Sequence, residues 1–291
     1  MEQNIENTQS IAQRMSRQKK VAAINDLTGY GRCALTVSLP VISHMKLQCC
    51  PVPTSILSNH TGYPEYYFDD YTDRLPEYLA MWKKLKLSFD GIMSGFLGSA
   101  QQIGMVESFI RTFRREDTVV VVDPVMGDHG HAYETYTPEM CEQMKELVCM
   151  ADVVLPNVTE CCILTDTPYK EENWTRKELL NMAMMLRLMG AKSVVITGVR
   201  EGSCYTNVVL EQGQYDAKFI RTRSSGGERP GTGDVFSSVV AGALLNRKSL
   251  PEAVSQAAGF VKECIKVSDE EQIPHANGVC FEKILGKLIK K

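Results

Sequence analysis

The chain has 291 residues, 44% of them apolar and 8% aromatic, which suffices for one large buried core and excludes disordered and collagen-like chains. Its 32 Lys+Arg against 35 Asp+Glu leave a formal charge of −3, so the basic stripe with which a nucleic-acid binder neutralises phosphates is not expected. No apolar run reaches the ~18 residues of a membrane span, and the polar start Met1–Lys20 does not read as a secretory leader, so no membrane association is expected and the compartment is read as cytoplasmic.

Residues 1–20 show little apolar periodicity and read as a flexible N-terminal tail, with a single domain expected over 21–291. From Val21 onward, short apolar runs suited to buried strands occur at Val21–Ile24, Leu47–Leu57, Phe89–Phe96, Thr118–Val122, Asp152–Leu155 and Ser193–Ile196. Between them, helical spacing predicts helices over Leu75–Leu87, Ser99–Arg115, Pro138–Met150 and Thr175–Met189, each long enough to return the chain in parallel. Ser203–Leu210 and Gln214–Ile220 flank Glu211-Gln212-Gly213 as a hairpin, and Thr232–Leu245 and Pro251–Val267 close the chain as helices. The expected class is α/β. The ten cysteines include no C-x-x-C pair and read as reduced thiols, most of them small buried hydrophobes.

Four segments carry the chemistry. In Gly226–Leu245, the residues Gly231, Thr232 and Gly233 can present consecutive backbone N–H groups at a helix start, a natural seat for a phosphate. Asp234, in the first turn, could accept a proton from an attacking hydroxyl while those amides stabilise the transferred group, or it could merely cap the helix. Gly233 is expected at positive φ, where a valine would strain the turn. Val119–Asp128 is an apolar strand running into Asp123 and Asp128, hard oxygen ligands suited to Mg²⁺ on nucleotide phosphates, or else turn-capping carboxylates. Asp152–Glu160 repeats the pattern with Asn157 and Glu160, which could join the same rim or form a capping box. Ser58–Tyr63 offers hydrogen-bonding side chains and one aromatic face, suited to a small polar heteroaromatic ligand with Thr61 on a ring substituent, or is a plain polar turn.

Taken together, Gly-Thr-Gly-Asp234, Asp-Pro-Val-Met-Gly-Asp128, Pro-Asn-Val-Thr-Glu160 and Ser-Asn-His-Thr-Gly-Tyr63 resemble the pyridoxal (vitamin B6) kinases of the ribokinase-like superfamily, over about Val21 to Val267. The resemblance implies a three-layer α/β/α fold with a mostly parallel sheet. It also implies ATP-dependent phosphorylation of the 5′-hydroxymethyl group of pyridoxal, pyridoxine or pyridoxamine. Asp234 would be the base, with Gly231, Thr232 and Gly233 as anion hole. Asp128 and Glu160 would lie at Mg²⁺; Asp123, Asn157, Thr197, Thr232 and Tyr136 at the nucleotide; Asp26, Thr61 and Asp234 at the vitamer. The stretch Gly127–Tyr136 matches the family's closing loop, with Tyr136 its residue nearest the nucleotide. A homodimer is the expectation by analogy, and a monovalent cation is left open.

The chain departs from the family at Ala23–Gly31, where the first loop is short and Asp26 stands in the usual serine position. A carboxylate there would alter which ring is preferred. Two other readings stay open: a hydroxymethylpyrimidine kinase, whose bacterial members often carry cysteine at the position of Asp234, and a binding homologue without turnover.

Overall fold

The computed structural model describes residues 18–289; most of the expected N-terminal tail, residues 1–17, lies outside them. The first strand, β1 (Lys20–Tyr30), starts one residue before the expected Val21 and continues well past Ile24. Then come helix α1 (Leu35–His44), β2 (Gln48–Asn59), β3 (Phe68–Asp70), α2 (Leu75–Lys84), β4 (Gly91–Ser94), α3 (Ala100–Phe113) and β5 (Val119–Val122). A small hairpin, β6 (Gly127–Asp128) and β7 (His131–Ala132), precedes α4 (Pro138–Cys149), β8 (Val153–Val154), α5 (Val158–Thr165) and α6 (Arg176–Met189). The chain continues through β9 (Ser193–Glu201), β10 (Cys204–Leu210), β11 (Lys218–Arg223), α7 (Thr232–Leu245) and α8 (Leu250–Glu270), and two 3₁₀ turns, His275–Asn277 and Glu282–Leu288, follow.

The main sheet has nine strands in the order β11-β10-β9-β8-β5-β4-β1-β2-β3. Strands β9 through β2 in that order are parallel, and β10, β11 and β3 are added antiparallel at the two edges. The Val-rich runs form the central strands because both faces of a parallel sheet are covered by helices, which favours apolar side chains on both faces. Alternate residues divide between two cores: Ala22, Ile24, Val120, Val122, Val194 and Ile196 face the layer of α3, α4 and α6, whereas Val21, Ala23, Val121 and Val195 face that of α1, α7 and α8. This is the expected three-layer α/β/α arrangement.

Some local features differ from the sequence expectation. Helix α1 holds Pro40 in its interior, and its buried face of Leu35, Val37, Ser38, Val41 and Ile42 outweighs the lost backbone hydrogen bond. The hairpin's second strand begins at Lys218 rather than Gln214, because Asp216 turns back to accept the Ala217 N–H at 2.9 Å. All ten cysteines are free thiols; Cys161, Cys162, Cys264 and Cys280 are buried, Cys149 is exposed and the rest are half-buried, so packing is the role of fewer than expected. No helix among the described residues is long and apolar enough to cross a membrane.

Candidate active site

Because the central strands run parallel, the carboxyl ends of β1, β5, β8 and β9 lie along one edge of the sheet, where open α/β sheets hold ligands. On that edge Asp123 follows β5, Asn157 follows β8, and a single parallel bridge pairs Asn157 with Thr197 of β9. Helix α7 begins at the same edge. Its N-cap is Gly231, at φ +78°, and a Cβ there would run into the Arg32 carbonyl oxygen. The turn therefore requires glycine. Thr232 and Gly233 open the helix, where amides have no intrahelical acceptor, while the Thr232 hydroxyl donates to the Arg229 carbonyl at 3.0 Å.

Gly233 differs from expectation. Its backbone is not at positive φ, and a Cβ would meet no atom within 4 Å. The strain expected there belongs to Gly231, the residue at which the chain enters the helix, and Gly233 instead leaves open space in front of the amides.

Asp234 is half-buried in the first turn and does not serve as the N-cap, a place Gly231 takes. Its Oδ1 accepts from Asn25 Nδ2 at 3.0 Å. Burial raises its pKa, opposed by hydrogen bonds from the Ala34 N–H, Asn25 and its own N–H. Asn25 in turn is fixed from two sides, its Oδ1 accepting the Asp26 N–H at 2.9 Å and the Phe96 N–H at 2.8 Å. Sequence reasoning passed over Asn25. A polar residue inside an apolar strand was the available signal, since a buried amide needs partners. The register of β1 on β2 slips between Asn25 and Leu27, so that Thr54 and Ser55 lie opposite one residue, a bulge of the kind that re-aims side chains beside functional sites.

Asp26 is 8% exposed and accepts from the Thr28 hydroxyl at 2.5 Å. Its pKa is pushed up to about 7, first by burial and then by the Asp234 charge, with Thr28 opposing. Asp123 is pushed up to about 8 by burial and by Asp234, relieved in part by Ser237. Glu160 is 3% exposed and is held well above the carboxylate range by burial and by Asp123, with Asp128 adding to it. These mutual effects place Asp26, Asp123, Asp128, Glu160 and Asp234 in one electrostatic neighbourhood. Tyr133, which sequence reasoning also missed, stands in it: burial raises its hydroxyl pKa, and Glu160, Asp128, Asp123 and Asp234 raise it further.

The remaining expected residues divide. Asn157 and Glu160 form the capping box of α5: Asn157 Oδ1 accepts the Glu160 N–H at 2.9 Å, and Glu160 Oε2 accepts the Asn157 N–H at 2.7 Å. Asn157 Nδ2 also donates to the Gly127 carbonyl at 2.9 Å, and Glu160 Oε1 accepts the Met126 N–H at 3.1 Å. Both thus have the structural role that was open in the sequence, and both lie at the expected rim. Thr197 contacts the Pro156 carbonyl. Asp128 is exposed on the β6–β7 hairpin. Tyr136, expected on a closing loop, is 6% exposed and packed in the core, with its hydroxyl enclosed without a hydrogen-bond partner and near Glu160. The intervening turn is tied to α5 through the Gly130 N–H and Thr159 Oγ1 at 2.9 Å. Thr61 is exposed, and no hydrogen bond of its side chain occurs among the described residues. Its neighbours His60 and Tyr63 instead pack together at a tilt of 46°, ring centroids 4.6 Å apart.

A cluster of hard carboxylate oxygens with raised pKa values suits a divalent cation, whose charge would relieve their mutual repulsion. Among the described residues no group of three or more His, Cys, Asp or Glu side chains is placed to hold a metal ion by itself. The set therefore fits Mg²⁺ held by one or two carboxylates together with phosphate oxygens and water.

The sequence profile of the phosphomethylpyrimidine kinase family matches residues 42–280. The chain belongs to that family. Among solved structures, a Bacteroides thetaiotaomicron protein assigned to the phosphomethylpyrimidine kinases is 39% identical and superposes with a TM-score of 0.92 over 95% of this chain and 96% of its own. An orthorhombic form of that protein, solved with pyridoxal, superposes at 0.89. Pyridoxal kinase from Lactobacillus plantarum is 27% identical, with a TM-score of 0.86 over 94% of this chain and 97% of its own. The pyridoxine/pyridoxal/pyridoxamine kinase of Bordetella avium is 26% identical over 269 residues, 87% of this chain and 88% of the relative. Within this family of kinases, the fold is the ribokinase-like one.

Proposed function

We propose that the protein transfers the γ-phosphoryl group of ATP to the 5′-hydroxymethyl group of pyridoxal, pyridoxine or pyridoxamine. The observation that carries this reading is the setting of Asp234, a partly enclosed carboxylate oriented by Asn25 and Ala34 beside the opening amides of α7. Asp234 accepts the proton of the attacking alcohol. The amides of Thr232 and Gly233 face the charge that develops on the transferred group, at the positive end of the helix dipole. Asp128 and Glu160 would lie at Mg²⁺ with Asp123 beside them, and each Glu160 oxygen, which accepts one backbone N–H, keeps a further lone pair for the ion. When bound, the ion would neutralise the phosphates that this acidic rim otherwise repels. Thr197 and Asn157 border the nucleotide side, and Asp26 and the Ser58–Tyr63 segment the acceptor side.

The preference for a B6 vitamer is supported by aspartate at position 234, where bacterial pyrimidine kinases often carry cysteine, and by relatives named for all three vitamers. The family's description and the buried Asp26 favour hydroxymethylpyrimidine as the second reading, since Asp26 titrates near neutrality and can meet a ring nitrogen as donor or acceptor. The test is ADP formation with each vitamer and with hydroxymethylpyrimidine, beside Asp234→Ala. Vitamer-dependent turnover that is lost in the variant is expected. Faster turnover of hydroxymethylpyrimidine would move the assignment to the second reading, and tight vitamer binding without turnover would make the protein a sensor.

A further inference from the structure

The segment Ile273–Gly278, which no sequence motif marked, threads between the two sides of the site. Toward the phosphate side, Arg229 Nη1 donates to the carbonyls of Ile273 at 3.0 Å and Gly278 at 3.3 Å, while Nη2 pairs with Asp269 at 2.8 Å. Arg32 Nη1 donates to the Asn277 carbonyl at 3.0 Å. Toward the acceptor side, His60 Nε2 lies 2.7 Å from the Ala276 carbonyl oxygen. The Asn277 amide there joins two phenols: its Oδ1 accepts the Tyr63 hydroxyl at 2.7 Å, and its Nδ2 donates to the Tyr30 hydroxyl at 3.0 Å.

This pairing has a chemical consequence. Tyr63 commits its proton to Asn277 and keeps its lone pairs, whereas Tyr30 accepts and keeps its proton free. Held at a ring-centroid separation of 5.9 Å, the two phenols present one acceptor and one donor side by side. Tyr30 is 56% exposed, so its free proton is accessible. The wall leads into the site. Gly231, the N-cap of α7, lies against the backbone of Arg32 and Cys33, Arg32 holds the Asn277 carbonyl at 3.0 Å, and Cys33, which feels Asp234 and Asp26, adds to burial and Tyr30 in raising the pKa of the Tyr63 hydroxyl.

We propose that Asn277 is a positioning residue for the acceptor: its amide fixes the Tyr30 and Tyr63 rings as one wall of the pocket that receives the aromatic alcohol. This rests on the reading above that such an alcohol enters between the Ser58–Tyr63 segment and Asp234. The planar carboxamide holds a donor and an acceptor on two separate atoms, one for each phenol. The backbone contacts of Asn277 with Arg32, and those of its neighbours with Arg229, survive its truncation, so the phosphate side is left in place.

The test compares Asn277→Ala, Asn277→Asp and Tyr63→Phe with the wild type, measuring Kd by calorimetry and KM for pyridoxal, for hydroxymethylpyrimidine and for ATP. Loss of two hydrogen bonds in Asn277→Ala is expected to raise acceptor Kd and KM about tenfold while ATP KM stays within about twofold. Asn277→Asp, which keeps the acceptor for Tyr63, is expected to recover part of that loss. Combining Asn277→Ala with Tyr63→Phe is expected to add little to the single change. Should Asn277→Ala fail to fold, the other two variants carry the comparison. Equal losses toward acceptor and ATP, or unchanged acceptor affinity, would overturn the positioning role alone. A wild type that binds neither acceptor would overturn the functional reading, and this inference with it.

Discussion

Asp234 and the glycines before it carry separable parts of the work. Asp234→Asn keeps the shape and a hydrogen-bond acceptor for Asn25 Nδ2 but removes the proton acceptor. Turnover is therefore expected to fall about 10²-fold or more while the ATP dissociation constant barely changes, and single-turnover kinetics beside nucleotide titration will show whether it does. The two flanking glycines should behave oppositely to each other. Gly231→Ala places a methyl group against the Arg32 carbonyl at φ +78°, so a loss of about 2 kcal/mol or more in urea unfolding is expected. Gly233→Ala meets no protein atom, and its unfolding free energy is expected to stay within about 1 kcal/mol of wild type. Its methyl group would instead occupy the approach to the helix amides, raising ATP KM. A folded Gly231→Ala with wild-type stability would show that the turn tolerates another path. The motif in the sequence named these residues but not their φ angles, because a Gly-Thr-Gly run leaves open which glycine the backbone uses to enter the helix.

Among the elements, α5 shows how a capping residue also shapes the site. Asn157 caps α5 and at the same time holds the Gly127 carbonyl, so it joins the β6–β7 hairpin to the end of β8. Asn157→Ala is expected to cost about 1–2 kcal/mol and to speed amide exchange in the hairpin, first at Gly130, while hairpin exchange equal to wild type would show that Thr159 alone anchors it. The central strands were legible because unbroken valine runs have no place except between two helical layers. Helix α1 was not, because Pro40 argues against a helix locally and only burial of its other face reverses that. Strands β3, β6 and β7, two or three residues long, carry too few side chains to show a period. Asn25 escaped notice for a different reason: its partner Asp234 is 209 residues away, and proximity of that kind is a property of the sheet order rather than of any local pattern.

Across the whole molecule, the carboxylates gathered at one sheet edge make stability depend on pH. Asp26 and Asp123 rise from 3.8 to about 7 and about 8, and Glu160 and Asp234 also move upward. Between the unfolded and folded pKa values the native state therefore binds more protons than the unfolded chain, so unfolding free energy falls as pH rises through this window. Exposed acids held low by partners, such as Glu178 with Lys170 and Thr175, act in the opposite sense only on acidification below their unfolded value of 4.5. The apo protein is thus expected to melt higher at pH ~5 than at pH ~8, by on the order of 5 °C. Asp26→Asn retains an acceptor for Thr28 without the charge, and should flatten the part of that decline lying between 3.8 and about 7. Mg²⁺ with ATP should raise the melting temperature more at pH ~8 than at pH ~5, because the cation binds the ionised carboxylates and competes with their protons. Melting curves over this range, with and without MgATP, measure both effects. A melting temperature that climbs from pH ~5 to pH ~8 would mean that the acidic groups are not buried together, and the site built on them would have to be redrawn.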